Sequence, residues 1–191
     1  MLGVRREGLQ PRAGVHAMQG DRVGAAAMNW TETTRADPDA RAIADRHYNR
    51  QKVGAKQFVP PGRCLVLRMR GALWITSWPF AEFVHHAWPG AWVCSAFRNE
   101  SSGMLSSHLI IDAIAATRAT WPDPLEHGMI TFVDADEVKR KRDPGRCFLR
   151  AGFENTGWTK GGLVALQMPA ARLKYIPPRE PLRTQLRLAV W

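Results

Sequence analysis

The chain has 191 residues, enough for one domain with a full core, and it carries a formal net charge of +10. A basic excess of this size favours polyanions, so nucleic acid is the first partner to expect, although composition alone does not establish one. The three cysteines have no paired spacing, which argues against a disulfide framework or a zinc ribbon and fits a reducing cytoplasm. No apolar run approaches the ~20 residues that cross a bilayer, and the N-terminus lacks a signal-peptide pattern, so we expect a soluble cytoplasmic protein without a membrane partner.

The two ends of the chain differ from its middle in composition. Residues 1–27 lack apolar periodicity, so we expect a disordered N-terminal extension, with Met28 as a candidate natural start. The folded domain is predicted over residues 28–178. The Pro- and Arg-rich segment 179–191 is predicted to be a peripheral arm.

A helix over Asp37–Tyr48 is the first predicted element. Asp37 can cap it, Pro38 suits its first turn, and apolar residues recur on one face. A hairpin of mostly buried residues follows, with strands Arg63–Met69 and Ala72–Trp78.

The second half of the domain alternates strands and helices. The longest helix is predicted over Leu105–Trp121, where apolar residues have helical spacing and Pro122 ends the pattern. The other predicted elements are the strands Ala91–Phe97 and Met129–Val133, the short helix Gly145–Ala151 and a final strand Gly162–Met168. A hairpin combined with crossover helices predicts an α/β fold with a mixed, mainly antiparallel central sheet and flanking helices.

A loop of small residues, Asn99–Met104, precedes the longest helix. Small residues permit close approach of a ligand to the backbone, and the first amides of a helix favour phosphate. A CoA pyrophosphate could therefore bind at this loop. The alternative is an ordinary turn, since such loops are common before helices.

Three residues are candidates for proton transfer. His47 and Tyr48 end the first predicted helix among polar residues, where a neutral imidazole can accept a proton and a phenol can donate one. Asp134 follows a buried strand, a position at which α/β sheets tend to place ligand contacts. The structural alternatives are that His47 caps its helix, Tyr48 packs at the edge of the core and Asp134 solvates its loop.

Basic side chains near these candidates predict a surface for nucleic acid. Each phosphate contact would weaken as the salt concentration rises. A basic run is more often a solvated surface, which is the alternative here. The residues predicted to contact nucleic acid are Arg50, Lys52, Lys139, Arg140, Lys141 and Arg142.

Four tryptophans, Trp74, Trp78, Trp88 and Trp92, are many for so short a stretch. Aromatic rings in such clusters can stack on unpaired or flipped bases. Most of these rings are more simply explained as core.

The strand Ala91–Phe97, the small-residue loop, the helix after it and the segment Cys147–Phe153 together resemble the GNAT acyltransferase superfamily. In that superfamily the loop cradles the CoA pyrophosphate, an aromatic residue followed by two residues and Ala-Gly-Phe marks the helix beside the pantetheine arm, and two neighbouring strands splay. The resemblance implies acetyl-CoA or another CoA thioester as cofactor, although Glu100–Ser106 has one glycine where the superfamily usually has Arg-x-x-Gly-x-Gly/Ala. The residues it implies for the cofactor are Phe97, Arg98, Ser102, Gly103, Leu105, Ser106, Ser107 and Phe148.

Within that superfamily, Asp45-Arg-His-Tyr48, Phe132-Val-Asp134, Gly145 and Phe148 are similar to the Mom DNA-modification proteins of phage Mu and related phages. Those proteins convert adenine in duplex DNA to a form carbamoylmethylated on its exocyclic amine. The similarity implies His47, Tyr48 and Asp134 as active-site residues, an iron that these three could hold, and a phage or prophage origin. Phe148 stands where the family tends to have a tyrosine, which leaves proton donation to Tyr48.

The leading hypothesis is therefore a GNAT-fold enzyme that uses a CoA thioester to modify the exocyclic amine of adenine in DNA. The second is an N-acetyltransferase of a small amine or a protein. The third is a non-catalytic DNA-binding accessory protein on a GNAT scaffold. The oligomeric state, including a homodimer, is left open.

Overall fold

A mixed, eight-stranded sheet organises the part of the chain that the computed structural model describes, residues 29–84, 86–124, 126–138 and 143–183. Its strands are β1 (Thr31–Thr33), β2 (Arg63–Met69), β3 (Ala72–Trp78), β4 (Trp92–Asn99), β5 (Met129–Val133), β6 (Glu154–Trp158), β7 (Val164–Met168) and β8 (Leu182–Arg183). The helices are α1 (Pro38–Ala44), α2 (Ser106–Thr120), α3 (Arg146–Arg150) and α4 (Ala170–Leu173), with a 3-10 turn at Ala81–Phe83.

The strand order is β6-β7-β5-β4-β3-β2-β1-β8. Neighbours are antiparallel except for the parallel pairs β4 with β5 and β1 with β8. The predicted mixed α/β fold with a mainly antiparallel sheet is confirmed at this level.

Several elements have the bounds that the sequence pattern predicted. β2, β3 and β5 begin and end at the predicted residues, and the β2–β3 hairpin turns through Gly71, whose φ of +76° is a conformation that glycine adopts readily. The longest helix, α2, is one residue shorter at each end than predicted.

The first helix differs from its prediction because it ends at Ala44 instead of Tyr48. Asp37 caps it as expected, since its carboxylate accepts hydrogen bonds from the amides of the first turn. The carboxylate of Asp45 then binds Arg50 and the amide of Gly54, which turns the chain away from the helix axis. His47 and Tyr48 consequently lie in a turn after the helix.

The sheet also contains strands that the sequence pattern missed. One final strand was predicted after α3, whereas the structure has the antiparallel hairpin of β6 and β7. The short strands β1 and β8 are likewise additional, and they pair with each other at one edge of the sheet. Pairing across such separations is not visible in local periodicity.

The described part of the predicted C-terminal arm packs on the domain. The amide of Arg179 donates to the carbonyl of Ala115 in α2, and the amide of Leu182 donates to the carbonyl of Trp30. Residues 179–183, the described part of the predicted arm, therefore contact the domain. The predicted disordered extension, residues 1–27, lies outside the described residues.

Apolar side chains cover both faces of the sheet. On one face α2 and α3 pack on a large core that includes the fully buried Trp74, Trp92 and Ile114. On the other face α1 covers β2 and β3, and a smaller cluster of Ala91, Ile130 and Ala165 lies over β4, β5 and β7. The alternation of side chains along each strand produces this division. Among the described helices none is long and apolar enough to cross a membrane.

Candidate functional site

The parallel strands β4 and β5 separate before either of them ends. Their pairing runs from Trp92 opposite Met129 to Cys94 opposite Thr131, while β4 continues to Asn99. β4 also shifts register against β3 near Cys94, which is the mark of a β-bulge. A gap therefore opens between the two central strands of the sheet.

This gap contains a cavity of about 930 Å³. It is lined by consecutive residues of both strands, Cys94–Asn99 and Thr131–Val133. Because successive residues of a strand point to opposite faces, a cavity that contacts all of them lies within the sheet and between the strands. A long, narrow ligand could enter from one face and meet a second molecule from the other.

The turn Arg46–Asn49 is fastened to β4 at the bulge. The Asn49 side-chain amide donates to the carbonyl of Ser95 over 2.9 Å, and Arg98 donates to the carbonyl of Arg46. Glu100, at the end of β4, accepts hydrogen bonds from both Arg46 and Arg98. These contacts hold the residues between Arg46 and Asn49 against the cavity wall.

His47 and Tyr48 line the cavity within this turn and stack on each other, with ring centroids 4.5 Å apart. Burial, assisted by the charge of Arg98, lowers the pKa of His47, although hydrogen bonds with the Asn49 side chain and the Phe97 backbone act in the opposite direction. Burial raises the pKa of Tyr48. At neutral pH the pair is therefore a neutral imidazole beside a protonated phenol, an acceptor and a donor of protons.

The imidazole of His47 is hydrogen-bonded within the protein. Its Nδ1 accepts from the amide of Asn49 over 3.3 Å, and the backbone of Phe97 also bonds to the ring. The Nδ1 contact is long for a hydrogen bond. A substrate amine can compete for this lone pair, since catalytic hydrogen bonds often tighten only when substrate is present.

Asp134 lies close to this pair but outside the set of residues that line the cavity. Its carboxylate accepts from the amides of Asp136, at 2.9 Å, and Glu137, so it closes a turn of its own loop. The Tyr48 hydroxyl lies 3.4 Å from the Asp134 amide nitrogen. Asp134 thus contacts Tyr48 through its backbone amide, and its carboxylate bonds to the amides of its own loop.

The loop before α2 forms one end of the cavity. Asn99 organises this loop, donating to the carbonyl of Met104 and the hydroxyl of Ser106 and accepting from the amide of Ser101. Leu105 occupies the N-cap position of α2 and, within the described residues, its side chain makes no capping hydrogen bond. The amide of His108 donates to the carbonyl of Leu105, so the amides of Ser106 and Ser107 are the ones that can meet an anion at this end of the cavity.

Most of the predicted cofactor residues border the cavity and two do not. Ser102 and Gly103 are exposed and lie outside the lining set. The predicted residues that line the cavity are Phe97, Arg98, Leu105, Ser106, Ser107 and Phe148.

The helix α3 forms the opposite wall. It begins after Gly145, whose φ is +74° and whose Cα faces Leu166 so closely that an added Cβ would lie 2.4 Å from its Cδ1. Phe148 is buried against Phe97 and Trp74, and its ring supports the cavity wall. Close approach at a glycine and an aromatic anchor together fix this helix against the strands.

The predicted nucleic-acid residues are only partly described. Arg50 is held by Asp45 at 2.7 Å and by the carbonyls of Ala55 and Gln57, so its guanidinium has a structural contact. Lys52 is exposed in the turn that follows. The basic run Lys139–Arg142 lies outside the described residues.

The iron that the resemblance implies at His47, Tyr48 and Asp134 stays a prediction. The Asp134 carboxylate is directed at its own turn, and the His47 ring is bonded to Asn49 and Phe97. Across the described ranges, His, Cys, Asp and Glu side chains form no group of three or more that could hold a metal ion.

Sequence reasoning missed the residues that position the site. Asn49, Ser95 and Glu100 fasten the turn to β4, and each contact joins segments about 50 residues apart. The one local signal was the polar character of residues 45–50, which is unusual directly after an amphipathic helix.

No family model, curated protein or solved structure matches this chain. Its function must therefore be inferred from the chemistry of the site.

Proposed function

We propose that this chain is a GNAT-like acyltransferase that uses a CoA thioester to modify an amine, and that the amine is the exocyclic nitrogen of adenine in DNA. The observation that carries the proposal is the gap between the parallel strands β4 and β5, bordered by His47 and Tyr48. A pantetheine arm is long and narrow, which suits a cavity of about 930 Å³ that lies within the sheet.

The proposed binding position of the CoA pyrophosphate is the start of α2. An uncapped helix N-terminus attracts phosphate through its amides and its dipole. Ser106 and Ser107 add hydroxyl groups there, and Arg98 adds positive charge at the same border of the cavity. These groups suit a pyrophosphate with an attached pantetheine that runs between the strands.

Tyr48 and His47 have the protonation states that acyl transfer needs. When bound, a CoA thioester supplies an activated acyl group and a thiolate leaving group. His47 accepts the proton that the attacking amine loses as its nitrogen bonds to the acyl carbon, and Tyr48 donates a proton to the sulfur as the carbon–sulfur bond breaks. The Tyr48 hydroxyl then recovers its proton from solvent or from His47.

Adenine in DNA is proposed as the acceptor for two reasons. The net charge of +10 favours a polyanion, and the His47, Tyr48 and Asp134 segments are similar to the Mom proteins. A base in duplex DNA must leave the stack to reach a cavity inside a sheet, at a cost of about a few kcal/mol.

The decisive experiment measures nucleosides of plasmid DNA by mass spectrometry after expression of the wild type, of His47→Gln and of His108→Gln. His108 is exposed on α2 outside the cavity lining, so its variant controls for the loss of a histidine. We expect a modified adenosine with the wild type and with His108→Gln, and at least a 100-fold reduction with His47→Gln. Unaltered nucleosides with the wild type would contradict the DNA substrate.

One observation favours a second acceptor. Asp136 and Glu137 are exposed and line the cavity. Carboxylates at that position repel phosphate and attract a protonated amine, as an N-acetyltransferase of a small amine or a protein would require. Binding to duplex DNA that falls steeply with salt supports the first acceptor, and salt-insensitive turnover of polyamines supports the second.

A further inference from the structure

Three aromatic rings pack together where the cavity meets the face of the sheet opposite α2. The ring of Phe132 lies 5.4 Å from that of His86 and 6.0 Å from that of Trp88, and His86 and Trp88 are themselves 6.0 Å apart. We name these three residues the ring cluster. All three side chains remain partly exposed.

The ring cluster borders the proposed site on the side of Tyr48. Phe132, His47 and Tyr48 all line the cavity. The Tyr48 hydroxyl contacts the amide of Asp134, so the phenol and the Phe132 ring lie along the same strand end. A planar group against Phe132 would therefore occupy the cavity that the His47–Tyr48 stack also lines.

Hydrogen bonds hold the ring cluster in place without any ligand. The indole nitrogen of Trp88 donates to the side chain of Gln167 over 3.2 Å, and the Trp88 amide donates to Nδ1 of His86. Gln167 in turn donates to the carbonyl of His127. A preformed wall of this kind loses little entropy when a ligand stacks on it.

The ring cluster differs from the other tryptophans of this region. Trp74 and Trp92 are fully buried in the core beneath α2, and Trp78 packs against that core. Trp88 instead covers a small cluster of three buried residues on the opposite face and stays partly exposed. Of the four tryptophans singled out from the sequence, it is the one whose ring contacts the cavity-lining Phe132 on that face.

We infer that the ring cluster is the acceptor wall of the site and that it binds an unpaired nucleobase by stacking. The inference rests on the proposed function for the location of the reacting amine. A base has a flat π face for Phe132, and the chain's positive charge suits the phosphates attached to it. A protonated aliphatic amine would contact such a wall through a cation–π interaction, whereas a base can stack over its whole face.

The test uses a DNA duplex with one unpaired 2-aminopurine, whose fluorescence falls when the base stacks, and no CoA compound. Phe132→Leu keeps an apolar side chain but removes the ring, and it should weaken binding of the probe roughly 5- to 150-fold, since base–aromatic stacking contributes about 1–3 kcal/mol. Phe132→Tyr should bind as the wild type does. Phe83→Leu is the matched control, because Phe83 is 68% exposed and its ring contacts Phe80 outside the ring cluster.

Trp88→Leu provides a second loss of a ring, on a loop, in case Phe132→Leu fails to fold by circular dichroism. If Phe132→Leu or Trp88→Leu binds the probe as tightly as the wild type does, the inference is overturned. It is also overturned if Phe83→Leu loses as much affinity as those two variants. Calorimetry of the wild type with acetyl-CoA separates the two proposals. If the 2-aminopurine fluorescence is quenched but acetyl-CoA does not bind, the stacking wall is supported and the proposed acyltransferase activity is rejected. If acetyl-CoA binds but the fluorescence is not quenched, only the stacking wall is rejected.

Discussion

Asn49 is predicted to matter more for activity than for stability. Its side-chain amide donates to the carbonyl of Ser95 over 2.9 Å, and this bond fastens the turn that carries His47 and Tyr48 to the bulge of β4. The change to test is Asn49→Ala. It removes the exposed bond to Ser95 and the side-chain contact with His47, and it leaves the buried core intact.

The expected loss of stability is small. One neutral hydrogen bond contributes a net ~0.5–1.5 kcal/mol, which corresponds to a fall in Tm of a few degrees, at ~2–4 °C per kcal/mol for a domain of this size. The expected loss of activity is larger, because a displacement of about 1 Å in a catalytic group can cost about 100-fold. We therefore expect kcat/KM for transfer to adenine to fall roughly 10- to 100-fold.

The control is Asn155→Ala. Asn155 accepts one hydrogen bond of 2.8 Å from the amide of Gly157, in the edge strand β6 and away from the cavity. Its variant should lose a similar few degrees of Tm and no activity. If Asn49→Ala keeps kcat/KM within about two-fold of the wild type, the turn does not position the reacting groups and the reasoning is refuted.

Three further changes test the fold and the chemistry. Gly128→Ala should lower the free energy of unfolding in urea by at least ~3 kcal/mol, because φ is +63° and the new Cβ would lie 2.1 Å from a main-chain oxygen. Gly62→Ala, at φ +90° in open space, should lower it by about 1 kcal/mol. Equal losses for the two changes would contradict this account of close packing. Because the pKa of His47 is lowered and its neutral form is the base, kcat/KM should fall only at a pH below the ordinary histidine range. Arg98→Gln removes a positive charge and should move this acidic limb of the pH profile to higher pH. If the limb does not move, His47 is excluded as the titrating group. Tyr48→Phe should lower kcat about 100-fold at nearly constant KM, and a retained kcat would remove the phenol as proton donor.

Local sequence patterns predicted the elements in which a regular pattern of apolar residues repeats within one segment. The alternation in Arg63–Trp78 and the helical spacing in Ser106–Thr120 each repeat over many residues, so the hairpin and α2 were evident. The first helix was predicted too long because the Asp45 carboxylate accepts hydrogen bonds from Arg50 and from the amide of Gly54, and these bonds compete with continuation of the helix. Hydrophobic periodicity does not reveal such a competition.

The site was predicted in its residue types more than in its geometry. His47 and Tyr48 do line a cavity between two diverging strands. The role predicted for the Asp134 carboxylate stays a prediction, and its Oδ1 accepts from two amides of its own turn. The bulge in β4 and the approach of Asn49 depend on contacts between distant segments, which a single sequence does not specify.

The measurement that tests the central claim most directly is a crystal structure of the protein with acetyl-CoA. The account predicts the pantetheine arm between Ser95–Phe97 and Thr131–Val133, the pyrophosphate at the start of α2, and the thioester beside His47. Clear density for acetyl-CoA elsewhere, or its absence at saturating concentration, would contradict the claim that this gap is an acyl-transfer site.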